Sequence, residues 1–82
     1  MIDVIYFAWV RERIGIPRER VDTGAATVAA LVAELSAREP RYAAAFADLG
    51  SLRVAVDQEL SSFDAPLAGV REVAFFPPMT GG

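Results

Sequence analysis

Glu72-Val73-Ala74-Phe75-Phe76-Pro77-Pro78-Met79-Thr80-Gly81-Gly82 are the last residues of the 82-residue sequence, and their reading decides the architecture. Glu72 to Phe76 alternates, with Val73 and Phe75 on one face and Ala74 and Phe76 on the other, the pattern of a strand apolar on both sides. Such a strand suits the interior of a sheet. Proline cannot continue a sheet ladder, so the strand is expected to end at Phe76. Residues 77–82 then form a tail that, fully extended, reaches about 20 Å at roughly 3.3–3.6 Å per residue. Glycine carries no Cβ, so Gly81 and Gly82 can enter a narrow channel on another protein. The expected working group is the terminal carboxylate of Gly82. The expected division is a folded domain over residues 1–76 and a flexible tail over 77–82.

Working outward, Ile2 to Trp9 reads as a second strand apolar on both faces; the two could lie side by side, in parallel, at the sheet centre, which would suit that character, but the pattern alone does not fix their adjacency. Ile2, Val4 and Tyr6 share one face; Asp3, Ile5, Phe7 and Trp9 share the other. One face should meet a helix while the other stays partly open. Val10 to Gly15 reads as a short helical turn ended by Gly15, and Arg18 to Thr23 as a returning strand. Thr27 is the expected N-cap of the main helix, whose Val28, Leu31, Val32 and Leu35 form one apolar stripe; Pro40 stops it. Arg41 to Asp48 reads as a short helix presenting Tyr42 and Phe46 on one side. Leu52, Val54 and Val56 are expected to face inward from another strand, Asp57-Gln58 to turn, and Glu59 to Ser61 to return. Asp64 to Gly69 is a turn-rich connector. The order gives an α+β domain, a mixed sheet of four to five strands packed on one main helix.

Composition narrows the function. The chain has no cysteine and no histidine, which removes thiolate chemistry, cysteine metal sites and the usual neutral-pH acid-base group. No metal site and no stably bound cofactor are expected. Every one of the 8 basic residues is arginine, and the net charge is −3. That balance argues against a nucleic-acid partner, and no stretch is long and apolar enough for a membrane span. A cytoplasmic protein is expected. Asp57, Glu59 and Asp64 show no paired catalytic arrangement.

Phe7-Ala8-Trp9-Val10-Arg11-Glu12-Arg13-Ile14-Gly15, Phe63-Asp64-Ala65-Pro66-Leu67 and the closing Glu72 to Gly82 together resemble the small, sulfur-carrying subunit family of molybdopterin synthase. The likeness spans most of the chain and is sharpest in Phe75-Phe76-Pro77-Pro78-Met79-Thr80-Gly81-Gly82. Where the family has a Gly-Asp pair before the last strand, this chain has Val70-Arg71 after Gly69. The resemblance implies a ubiquitin-like β-grasp fold. It implies that a partner similar to ubiquitin-activating enzymes, an adenylyltransferase using ATP and magnesium, adenylates Gly82. A persulfide donor then converts the adenylate to a thiocarboxylate, so that sulfur is carried covalently at Gly82. The tail, through Pro77, Pro78, Thr80 and Gly81, would thread into the large catalytic subunit of the synthase, in a heterotetramer, and sulfur would pass to cyclic pyranopterin monophosphate. Such a subunit is not catalytic alone.

Phe76, Phe7 and Leu60 are candidates for one apolar docking patch, and Arg11 for pairing with acidic groups on the activating partner. The competing readings are a sulfur carrier for thiamine or tRNA thiolation, which also ends in Gly-Gly, and a ubiquitin-like modifier joined to target amines.

Overall fold

The computed structural model describes residues 1–78. Five strands form one sheet in the order β2-β1-β5-β3-β4, with β1 at Ile2–Tyr6, β2 at Arg18–Val21, β3 at Arg53–Val56, β4 at Glu59–Ser61 and β5 at Glu72–Phe76. β1 and β5 run parallel in the middle, in register from Asp3↔Glu72 to Tyr6↔Phe75, and every other pairing is antiparallel. The two strands that are apolar on both faces therefore take the central places. One face of the sheet is covered by α1 (Ala8–Ile14), α2 (Val28–Arg38) and α3 (Pro40–Ala45). Ile2, Val4, Tyr6, Val54, Val73 and Phe75 point into that core and are buried. Phe75 lies at its centre, stacked on Tyr6 at 6.2 Å and met edge-on by Phe46 at 5.0 Å. This arrangement is the expected β-grasp.

α2 follows its stripe: Val28, Leu31, Val32 and Leu35 are all buried. Its first turn has three separate acceptors. Thr27 Oγ1 accepts from Ala30 N–H at 3.2 Å, Ala65 carbonyl accepts from Val28 N–H at 3.1 Å, and Phe63 carbonyl accepts from Ala29 N–H at 2.7 Å. The Phe63–Ala65 connector thus serves the N–H groups that a helix start leaves without intrahelical partners. Asp57 and Gln58 both have positive φ, 48° and 71°, which closes the β3–β4 hairpin tightly.

The first strand is shorter than its apolar run suggests. β1 ends at Tyr6, and the chain reverses at Ala8, whose φ is +52°. Trp9 therefore belongs to α1 and not to the strand face shared by Ile5 and Phe7. In the helix, Val10 and Ile14 fall four apart and are buried, a stronger claim on these residues than strand alternation. Trp9 lies half-buried under the guanidinium of Arg13, 5.1 Å from the ring centre. Gly15 ends the helix as expected, in the left-handed region at φ 97°.

The departure at Val70-Arg71 is absorbed by the hairpin. Gly69 turns at φ 76°, and Asp57 Oδ1 accepts from both the Arg71 and Glu72 N–H groups at 3.0 Å. The turn before β5 is thereby held to the β3–β4 hairpin by one carboxylate.

Candidate functional site

β5 ends at Phe76, and Pro77 and Pro78 follow outside any strand, both half-buried. Of the residues expected to carry the chemistry and to thread, Thr80, Gly81 and Gly82 lie outside the described residues, as does Met79. What the structure does describe is the platform from which residue 76 departs.

That platform is the sheet face opposite the helices. Register fixes its rows. Arg18, Ile5, Ala74, Ala55 and Leu60 are successive partners across all five strands, and Phe76 is the partner of Arg53. Phe7 remains in extended conformation past the end of β1, its N–H donating to Phe75 carbonyl at 3.0 Å. Its side chain therefore continues the alternation onto the open face, beside Phe76. Phe7 is 46% exposed and Leu60 73% exposed, whereas Phe76 is half-buried. The three candidates share one face. They do not form one contact cluster, because Leu60 stands on the edge strand with Ala55 between it and β5. Between the aromatic pair and Leu60 the sheet surface is low, floored by the methyl groups of Ala74 and Ala55. An apolar, partly exposed surface of this kind, with aromatic anchors and a shallow floor, is suited to receive a protein partner.

Arg11 is exposed on α1, one helical turn beyond Phe7, whose carbonyl accepts from the Arg11 N–H at 3.4 Å. Its place is on the helix side of the sheet, so the structure does not bring it onto the face that carries Phe7 and Phe76.

Sequence reasoning missed two features. The first is a polar staple under α3. Glu19 Oε2 accepts from Tyr42 Oη at 2.6 Å and from Tyr6 Oη at 2.8 Å, and Arg41 Nη1 donates to Ile14 carbonyl at 2.8 Å. Burial, and then the bond to Glu19, push the Tyr42 phenol up to about 12 and the Tyr6 phenol higher still. Both phenols stay protonated at neutral pH, so the cluster ties β1, β2 and α3 together and offers no acid or base. The second is a pair of arginines on the open edge of β2, Arg18 and Arg20, which share the carboxylate of Asp3.

Among the described residues no group of three or more carboxylates is placed to hold a metal ion. In a groove of about 360 Å³ between α1 and α3, lined by Trp9, Arg13, Ala45, Asp48 and Ser51, the Ser51 hydroxyl donates to Asp48 Oδ2 at 2.8 Å while Asp48 Oδ1 accepts from Gly50 N–H at 3.0 Å, an exposed local contact that closes the turn before β3. No helix among the described residues is long and apolar enough to cross a membrane.

Comparison with known proteins agrees with this architecture. The ThiS family matches residues 4–82. The molybdopterin synthase sulfur carrier subunit of Escherichia coli (strain K12) is 49% identical over 82 residues, covering 100% of both chains. The subunit of that name from Haemophilus influenzae is 35% identical over the same span. Among solved structures, SAMP1 from Haloferax volcanii superposes with a TM-score of 0.77 at 28% identity, covering 99% of this chain and 98% of that one. A putative molybdopterin converting factor subunit 1 from Pyrococcus furiosus superposes with a TM-score of 0.70 at 24% identity, covering 95% and 97%, and speaks to the fold. A β-grasp sheet with parallel central strands, matched along its whole length by these relatives, places the chain in the ThiS family, among the sulfur carrier subunits of molybdopterin synthase.

Proposed function

We propose that this sulfur carrier works through the carboxylate of Gly82, with residues 1–76 as the body that partners grip and 77–82 as the part that reacts. The observation that carries the reading is identity of 49% over the full length to a molybdopterin synthase sulfur carrier subunit. The end of β5 at Phe76, followed by two prolines, supports it from the physical side. A proline pair limits the conformations open to the tail before it threads, and so lowers the ordering cost on binding.

The chemistry follows from what a carboxylate lacks. Its charge and resonance oppose nucleophilic attack, so it is first activated. A Gly82 carboxylate oxygen attacks the α-phosphorus of ATP on an adenylyltransferase partner that also holds magnesium, and pyrophosphate leaves. The terminal sulfur of a persulfide donor then attacks the acyl carbon; the C–S bond forms and AMP departs. Reductive cleavage of the S–S bond by a thiol leaves the thiocarboxylate on Gly82 and a disulfide on the donor side. In the large synthase subunit the thiocarboxylate sulfur forms a C–S bond to a side-chain carbon of the pterin precursor, cyclic pyranopterin monophosphate, as a C–O bond at that carbon breaks and its oxygen leaves on phosphate or as water. Hydrolysis of the resulting thioester returns the Gly82 carboxylate.

The apolar open face, with Phe7, Phe76 and Leu60, is the docking surface in this reading, and Arg11 pairs with carboxylates on the activating partner. Pro77, Pro78, Thr80 and Gly81 are the part of the tail that threads into the active site of the large subunit. The assembly is a heterotetramer of two small and two large subunits, in the cytoplasm. A chain extended by one residue beyond Gly82 tests the reading: it should fold with unchanged thermal stability and transfer no sulfur. Sulfur transfer by the purified extended chain contradicts it.

A further inference from the structure

The groove between α1 and α3 takes no part in the sulfur chemistry, yet it lies at the end of the body from which the tail departs. Its two walls grow from the chain segments that flank Phe76. On one side, the Phe7 N–H donates to Phe75 carbonyl at 3.0 Å, and the chain turns at once into α1, which supplies Trp9 and Arg13. On the other, Arg53 is the partner of Phe76, and Asp48 and Ser51 stand just before it in the chain. Ala44 and Ala47, both exposed, belong to the lining as well. Phe7 and Phe76 thus border the exit on the open face, and the groove borders it on the helix side.

The length of chain beyond Pro78 decides how close a partner comes. Four residues remain, and fully extended they reach at most about 14 Å. An enzyme that works on Gly82 holds its reacting centre within that distance, so the mouth of its channel closes on the exit end of the body. A channel has walls on every side of what it admits. One wall meets Phe7 and Phe76; the opposite wall meets the groove.

The lining says what fills it. Arg13 and Asp48 are its charged side chains, one of each sign. The Arg13 guanidinium lies over the Trp9 ring, 5.1 Å from its centre, and the Asp48 carboxylate is taken by the Gly50 N–H and the Ser51 hydroxyl. With its charges balanced, and with an indole and alanine methyls for a surface, the groove suits an apolar segment. Helix geometry then separates the two enzymes that handle the tail. Trp9 and Arg13, four apart, share one flank of α1, while Arg11 lies about 200° round the helix from Trp9. Arg11 is the contact for the activating partner in the reading above, which leaves the Trp9 flank to the large subunit.

We propose that the large synthase subunit seats an apolar segment in the α1–α3 groove when it takes up the tail, with Trp9 as the anchor, and that the adenylyltransferase leaves the groove empty. This rests on the reading of the tail as the part that both enzymes receive, and adds to it a surface that tells the two apart.

Trp9 is the only tryptophan of the chain, so labelling with fluorotryptophan gives a single fluorine resonance that reports on the groove. That resonance should shift on saturation with the cognate large subunit and keep its position with the cognate adenylyltransferase. Two variants carry the same test into affinity, measured by calorimetry. Trp9→Ala removes the anchor, and Ala44→Arg fills the groove from an exposed helix position. Each should weaken binding to the large subunit by at least roughly tenfold, at low and high salt alike, and leave binding to the adenylyltransferase unchanged. Circular dichroism melting checks that each variant is folded. An unmoved resonance in the saturated complex, or wild-type affinity for the large subunit in Ala44→Arg, overturns the proposal; the docking reading then stands if Phe76→Ala still weakens that complex. Weakened binding to the adenylyltransferase also overturns it, because the groove then does not tell the two enzymes apart. Absence of wild-type binding to the large subunit overturns the proposal and the docking reading together.

Discussion

Tyr42 donates to Glu19 across 2.6 Å and so fastens α3 to β2, two elements 23 residues apart in sequence. Tyr6 shares the same carboxylate oxygen from β1. Tyr42→Phe removes a bond to a charged acceptor and should lower stability by about 1–2 kcal/mol, read by urea unfolding at pH 7.

The same staple sets an alkaline limit. The Tyr42 phenol is pushed up to about 12 by burial and by Glu19, while in the unfolded chain it titrates near 10. Below about pH 10 both states keep the proton and the stabilisation is whole. Between about pH 10 and 12 the unfolded chain releases it first, so stability falls as pH rises. Urea midpoints should drop over that window in wild type and drop less in Tyr42→Phe. Parallel declines would mean that another group, and not this phenol, governs the alkaline loss.

Phe76 stands at the junction of sheet and tail, half-buried and on the open face. Phe76→Ala should cost about 1 kcal/mol of stability yet weaken binding to the large synthase subunit by at least roughly thirtyfold, the scale of a central aromatic anchor. Calorimetry and thermal melts on one preparation compare the two. A stability loss exceeding the binding loss assigns Phe76 to the core.

Gln58 takes a φ of +71° in the β3–β4 turn, beside Asp57 at +48°. A side chain is strained there, whereas glycine is not. Gln58→Gly should therefore stabilise the hairpin by about 0.5–1 kcal/mol, measured as a shift of the urea midpoint; destabilisation shows that the Gln58 side chain contributes more than its backbone strain costs.

Much of this was legible in the chain. The two strands apolar on both faces, β1 and β5, suit the sheet centre, while their parallel adjacency is fixed only by the fold. The i, i+3, i+4, i+7 stripe from Val28 to Leu35 marks the main helix, and Asp57-Gln58 marks the tight turn. The limit of β1 was not legible, because Phe7 to Val10 is apolar enough for a strand. Its end is set by the reversal at Ala8 and by the burial of Val10 and Ile14 on α1, which depend on tertiary packing. The capping of α2 by Phe63 and Ala65 carbonyls is invisible for a similar reason: backbone acceptors from a distant loop leave no side-chain signature. Glu19 reads as a surface residue of an Arg-Glu-Arg run, and only the folded sheet brings it beneath Tyr6 and Tyr42. Alternation alone sets Phe76 on the face opposite Val73 and Phe75, and Phe7 opposite Tyr6, but bringing the two together takes the parallel register of β1 and β5. The distance of Leu60 from them, and the arginines at 18 and 20, required the strand order.

The central claim is that sulfur travels on Gly82. Incubation of the intact chain with ATP, magnesium, a persulfide donor and the cognate adenylyltransferase, followed by intact-protein mass spectrometry and C-terminal peptide mapping, tests it most directly. The account predicts one oxygen replaced by sulfur, located at Gly82, and reversed when the large subunit and pterin precursor are added. An amide joining Gly82 to another protein, with no thiocarboxylate formed, contradicts it.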